Sequence, residues 1–340
     1  NLTHMGEFEM MKKTTSALAI AALLGSGAAS AVTFQVNDET TFSIAAGIYA
    51  TYKDETDTNG DGNTSFFDNG SDLVFSGEHT ANGMTTFFNI DFDGFDAVDA
   101  GGTVVGDEAS AGITGDFGTV VFGSDASAFD KTIDGLIDSD ETAGVYNLAG
   151  DKQRIVRYES NDLNGFSFMV EGQIDGDAQV GVGDTTDDGL GLATAVSYDL
   201  GAATLHAAYD DRGNTVDEAI YGVGAAFSVA GVDLGVAYQK DDDPTTEADL
   251  FGVSGSYNYG GGSLYGVIQN VNFDSVTAAG NALDADKNEG SAETDDSFNQ
   301  YMLGINYNIT DALYVYGEYL VLDRESDEGD VASVGAVAYF

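Results

Sequence analysis

From Thr40 onward, apolar and polar residues alternate with a period of two. Met84, Thr86, Phe88, Ile90 and Phe92 fall on one face, and Thr85, Phe87, Asn89 and Asp91 on the other. Val232, Leu234, Val236 and Tyr238 alternate in the same way with Asp233, Gly235, Ala237 and Gln239. This period marks strands whose two faces meet different surroundings. The connections alternate as well. Tight ones, such as Asp116-Phe117-Gly118, Leu200-Gly201-Ala202 and Ala230-Gly231, take turns with long Asp/Gly/Ser/Thr-rich stretches over 53–70, 93–106, 125–150, 176–188 and 273–297. The runs between them number about 16, each of roughly 8–12 residues, as a membrane barrel requires. The expected fold class is all-β: a transmembrane antiparallel up-and-down β-barrel with short turns on one rim and long loops on the other. Such a sheet has to close, because lipid offers no partner for an unpaired backbone group. A barrel of this size encloses an aqueous channel, which calls for polar side chains pointing inward. Tyr49, Tyr52, Tyr198 and Tyr257, near strand ends, suit an interfacial girdle or ordinary strand enrichment of aromatics.

The N-terminus breaks the pattern. Lys12 and Lys13 precede the apolar run Ala17–Leu24, and Ala29-Ser30-Ala31 supplies small residues for cleavage. This reads as a secretory signal from Met11 to Ala31, with an upstream extension before it. The expected organisation is residues 1–31 as extension plus removed signal, and 32–340 as one barrel domain. No later apolar run approaches the ~18 residues that a spanning helix needs.

Composition narrows the function. The 340 residues carry 58 Asp+Glu against 11 Lys+Arg, for a net charge of −47. A field of that sign repels nucleic acid. With no Cys, disulfides and thiolate metal sites are excluded. At 43% hydrophobic residues the chain is too apolar for a solvated coil. We read the excess acid as an adaptation to a saline medium, where counter-ions screen it.

Three stretches carry a family resemblance: Glu108–Gly123 (EASAGITGDFGTVVFG), Arg154–Phe168 (RIVRYESNDLNGFSF) and Tyr301–Tyr319 (YMLGINYNITDALYVYGEY), with Phe340 as the last residue. In this order they resemble the trimeric general-diffusion porins of the Gram-negative outer membrane. The resemblance implies a homotrimer among outer-membrane lipid and lipopolysaccharide, each barrel passing ions and small hydrophilic solutes. It also implies a third outer loop, about Asp125 to Gly150, folded into the lumen. Acids on that loop are Asp125, Asp130, Asp134, Asp138, Asp140 and Glu141. In the family such acids face wall arginines. Here Asp72 and Ser124 stand where arginines are common, and the nearby basics are Lys131, Lys152, Arg154 and Arg157. Arg157 has the parity opposite to Val156 and Tyr158, so it faces the lumen if they face lipid. It either meets solutes or pairs with Glu159 or a loop acid. Rings of acids select cations, so a cation-preferring channel is expected.

Other chemistry is thinner. Asp57, Asn59, Asp61 and Asp68 fit the spacing of an oxygen-ligand calcium loop, though the flanks read as strands and the twelfth position lacks the usual Glu. The alternative for that stretch is a solvated acidic loop, and no other cofactor is expected. The histidines are His4, His79 and His206, and no G-x-S-x-G or H-E-x-x-H occurs. Enzymatic activity is therefore not expected. Two alternatives to general diffusion remain open: a substrate-specific channel, and a structural or adhesive barrel with cation-binding acidic loops.

Overall fold

A computed structural model of the chain describes residues 31–56, 62–94, 98, 104–142, 144–174, 191–211, 219–244, 246–283, 296–323 and 329–340. The signal segment up to residue 30 lies outside them, as do parts of several long loops, while the stretch that follows Ala126 is described almost throughout.

The first strands are β1 (Val32–Asn37), β2 (Thr40–Thr56), β3 (Gly62–Asp68), β4 (Asp72–Ala81), β5 (Met84–Asp93), β6 (Val105–Gly115) and β7 (Gly118–Ala126). A long inward excursion precedes β8 (Asp151–Glu159) and β9 (Phe166–Gln173). Then come β10 (Gly191–Asp199), β11 (Ala203–Asp210), β12 (Ile220–Val229), β13 (Val232–Asp241), β14 (Ala248–Asn258) and β15 (Ser263–Phe273). A short helix α1 (Val276–Leu283) leads to β16 (Ser297–Thr310), β17 (Leu313–Asp323) and β18 (Gly329–Tyr339).

Closure runs through β2. One edge of β2 pairs with β1 along its first half and with β18 from Gly47 to Glu55. The other edge pairs with β4 along Thr40–Gly47 and with β3 along Ala50–Thr56. The segments β1 and β18 thus share one wall position, and β3 and β4 share another, giving a closed antiparallel barrel of 16 strands. The terminal Phe340 seals the seam: its N–H donates to Ala46 O at 2.9 Å, and the Ala46 N–H donates back at 3.0 Å. Tight turns sit where the glycines and small polar residues fell. Between β12 and β13, Ala230 and Gly231 both take positive φ (54° and 84°), the twist a two-residue hairpin needs.

The alternation divides inside from outside. On β8, Arg154 and Val156 are exposed while Ile155 and Arg157 are buried. Val156, Val170, Leu205, Phe251, Leu303 and Val334 are among the exposed apolar residues of the outward face. An apolar outer band is what lipid requires.

The interior differs from a uniformly polar lining. Along β10–β16 the inward residues are largely small or apolar, including Ala193, Ala237, Leu250 and Val271. They pack against the excursion that follows β7. Phe129, Ile133 and Ile137 of that segment are fully buried in this cluster, as are Ala278 and Ala279 of α1. Full burial of such side chains stabilises by roughly 1.5–3 kcal/mol each. Glycines make the seat: a Cβ on Gly222 would lie 2.8 Å from Ile133 Cγ2, and one on Gly252 would lie 2.8 Å from Ile137 Cδ1. Those contacts are closer than side-chain carbons tolerate. The β10–β16 side of the barrel interior is therefore covered by the chain's own loop.

Candidate functional site

The inward loop runs from Ser127 to Gly150, and its geometry defines a constriction. Its roots meet where Ser127 N–H donates to Gly150 O at 3.2 Å. A 3-10 turn over Asp134–Leu136 crosses the glycine seat, and Ser254 Oγ donates to Leu136 O at 2.5 Å. The far end of the loop is held by polar groups. Glu318 on β17 accepts the backbone N–H of Glu141 at 2.6 Å and that of Thr142 at 2.9 Å. Tyr265 O–H donates to the same carboxylate at 2.9 Å. Asn69 donates to Glu141 O at 2.7 Å, and Tyr314 O–H donates to Glu141 Oε1 at 2.9 Å.

The loop acids do not form one ring. Asp134 is fully buried under the loop, facing the wall. Ala149 N–H donates to its Oδ2 at 2.8 Å, while Oδ1 has no hydrogen-bond partner. The amide of Gln239, itself fully buried, approaches Asp134 without reaching hydrogen-bond geometry. Burial pushes the Asp134 carboxyl up to about 7, against the pull of the Ala149 N–H. Asp138 is exposed at its surface, but the crowded lumen and the nearby Asp140 and Asp130 push it up to about 6. Burial also raises Glu141. Asp140 is partly turned to its own loop, accepting Gly144 N–H at 2.6 Å. Asp125 belongs to the root, not the tip: Lys131 binds it at 3.0 Å and Arg157 reaches its other oxygen. Asp130 follows the root, its N–H held by Ser127 Oγ at 3.0 Å.

The basics divide differently from expectation. Arg157 does face inward, but it is fully buried among carboxylates, so of the two roles left open for it the pairing is the one observed. It offers no surface to a solute. Lys152 pairs with Asp210 and lies 4.0 Å from Glu171. Arg154 is exposed at a left-handed backbone position (φ 57°), on the side of β8 shared with Val156 and away from Arg157. A constriction containing both arginines is not what the fold builds.

The wall opposite the loop carries groups that the alternation held but spacing alone did not mark. Asp91 and Asp93 share the inward face of β5 with Phe87, and Asp72 on β4 accepts Gly47 N–H at 2.6 Å. Asp72, Asp91, Asp93 and Asp107 act on one another electrostatically. Lys53 on β2 lies 3.0 Å from Glu55 and 5.8 Å from the centre of the Phe67 ring. Beside the loop tip is an aromatic group from three strands. Tyr49 and Tyr314 each pack on Tyr339 with ring centres 6.1 Å apart, and Tyr316 joins Tyr314 at 6.4 Å. Tyr49 thus faces the lumen and is not part of a girdle.

Of the calcium-like spacing, Asp68 alone falls among the described residues. Asp57, Asn59 and Asp61 lie outside the described residues. Residues Gly62–Asp68 are an extended strand, which carries Asp68 roughly 20 Å from Gly62. The Asp68 carboxylate accepts the Ser71 N–H at 2.6 Å and the Ser71 hydroxyl at 2.5 Å. No group of three or more acids or histidines placed to hold a metal occurs among the described residues. His79 and His206 bond Thr40 and Ser197, each at 2.9 Å.

Residues 14–327 match the family model described as Gram-negative porin. The chain is 29% identical over 366 residues to a "Monosaccharide porin" of Halomonas sp, covering 97% of this chain and 100% of that one. It is similar to the same extent to the "Major outer membrane protein" of Halomonas elongata. Among solved structures, the fold resembles an anion-selective porin from Comamonas acidovorans with TM-score 0.66 at 15% identity, covering 89% of this chain and 100% of that one. It also resembles the trimer form of OmpT from Vibrio cholerae with TM-score 0.63 at 15% identity, covering 89% and 100% of the two chains.

Proposed function

The chain belongs to the Gram-negative porin family and is an outer-membrane channel for passive diffusion, not an enzyme; on that premise we propose that the channel prefers cations and works as a homotrimer. One observation carries the cation preference. Asp72, Asp91, Asp93 and Asp107 line the wall facing the loop, whereas Lys53, Lys131, Lys152 and Arg157 each lie against a carboxylate. The basic charge is locally cancelled, and the remaining field is negative. A narrow aqueous path between low-dielectric walls focuses such a field and concentrates cations. The trimer rests on the family and on the outward aromatic face of β2, β4 and β5, where Phe42, Phe75, Phe88 and Phe92 contact one another. The test is the reversal potential across a planar bilayer in a potassium chloride gradient. A potential of the sign for cation permeation is expected, reduced in Asp91→Asn/Asp93→Asn. An anionic reversal potential sinks the reading.

A second reading has an observation of its own. Tyr49, Tyr314, Tyr316 and Tyr339 gather beside the loop tip with Glu141 in contact. Aromatic rings beside a carboxylate suit a neutral hydroxylated solute, and a relative carries the name monosaccharide porin. Liposome swelling faster with a hexose than with a non-sugar solute of equal size would favour this reading over simple diffusion.

A further inference from the structure

The geometry points to Arg157 as the positioning residue of the constriction: its buried guanidinium ties the entry of the inward loop to the barrel wall, and with it the exit. The inference rests on the channel reading above and concerns how the loop stays in place.

Its contacts spread over separate parts of the chain. From β8, Arg157 Nη2 donates to Asp125 near the end of β7, the last charged side chain before the loop. Nη1 donates to the Ala126 carbonyl at 2.7 Å, so the backbone at the loop entry is bound directly. The same nitrogen donates to Glu171 on β9 at 3.0 Å, and Nε donates to Glu159 at 2.8 Å. Glu171 also lies 4.0 Å from Lys152, in the segment by which the chain leaves the loop. Lys152 continues to Asp210 on β11. On the other flank, Lys131 in the first turn of the loop returns to Asp125.

Charges of alternating sign thus run from Lys131 through Asp125, Arg157, Glu171 and Lys152 to Asp210. Arg157 and Glu171 are fully buried and Asp210 is 1% exposed. Arginine suits this position because its planar fork holds several acceptors in fixed directions, which a flexible ammonium does not. Surface pairs contribute little, but removing one member of a buried network strands the others. The β7–β8 ladder over Thr119–Gly123 and the β8–β9 ladder over Ile155–Glu159 are backbone pairings that do not use the side chain. Loss of the guanidinium therefore acts first on the loop entry, the one segment held by Asp125 and Ala126.

The test uses the full-length folded protein in planar bilayers, with Arg157→Gln, Arg157→Lys and Asp125→Asn. The expected result for Arg157→Gln is a noisier and larger open-channel conductance, with heat resistance of the barrel close to wild type. Arg157→Lys should restore part of the quiet, smaller conductance. Asp125→Asn removes the loop-side partner and leaves the wall intact, so it should raise the noise in the same direction even if Arg157→Gln does not assemble. Combined with Arg157→Gln, it should add less than the two separate effects. Wild-type conductance and noise in Arg157→Gln, or in Asp125→Asn if only that variant assembles, would overturn the inference. A wild-type protein that forms no channel would instead sink the channel reading.

Discussion

The carboxylate of Glu318 accepts the backbone N–H of Glu141 at 2.6 Å, joining residues separated by 177 positions in sequence. Its second oxygen takes the Thr142 N–H at 2.9 Å. An acid on the wall therefore holds the tip of an acidic loop, because what it binds there is the loop's backbone donors and not its acidic side chains. Glu318→Ala leaves those donors without their acceptor, at about 1–3 kcal/mol each. The expected outcome is a looser tip: faster amide hydrogen exchange at residues 141–142 and larger current fluctuations, with an unchanged barrel circular-dichroism spectrum. Protection equal to wild type would show that Asn69 and Tyr314 suffice.

The glycine seat gives a second prediction. A Cβ on Gly235 would overlap the Leu136 carbonyl oxygen, which is backbone and cannot rotate away. Gly235→Val must lift the loop from the wall and push it toward the opposite acids. The cost is about 1–3 kcal/mol, as for overpacking elsewhere. Single-channel conductance should fall relative to wild type, while Gly106→Ala, on β6 with open space around it and no left-handed backbone, should leave conductance unchanged.

The pH dependence follows from Asp134 and Asp138. Both carboxyls are held above the ordinary carboxylate range, at about 7 and about 6. A group whose proton binds more tightly in the docked loop stabilises docking below its free value of ~3.9. That contribution is lost as pH rises through 6 to 7. Ionisation also adds negative charge to the lumen. Between pH 5 and pH 8, cation preference and loop mobility should therefore both increase. Asp134→Asn keeps the neutral form and should flatten the mobility change, while Asp138→Asn should flatten the selectivity change. Selectivity that falls with rising pH would contradict this.

The barrel was legible in the sequence because its two faces meet different media, and a period of two records that difference residue by residue. The inward parity of Arg157 followed from the outward parity of Val156. What parity cannot say is what covers an inward face. Ala237, Leu250 and Val271 look like any apolar strand positions, yet they carry the loop. Glu318 was equally silent, since one Glu in a tyrosine-rich strand carries no mark of the backbone it binds. The wall acids were visible as the face of β5 holding Asn89 and Asp91, but in so acidic a chain an aspartate attracts no notice. The calcium-like spacing says little for the related reason that Asp and Gly abound, and three of its four residues lie outside the described ones.

The net charge of −47 leads to the last prediction. Few of the acids can be paired by 11 basic residues, and those in the barrel wall repel one another, as Asp72, Asp91, Asp93 and Asp107 do. Such repulsion reaches about 10 Å in 0.1 M salt but only about 3 Å at 1 M. Buried pairs such as Arg157 with Glu171 are screened far less, so added salt should remove repulsion more than attraction. The folded barrel should therefore resist heating better at 1 M sodium chloride than at 0.1 M, followed by heat-modified mobility on gels. Replacing sodium chloride with sucrose should give no comparable gain, because sucrose does not screen charge. Equal heat resistance at the two salt concentrations would show that the acids are held apart by the fold itself, and would leave the composition without a saline explanation.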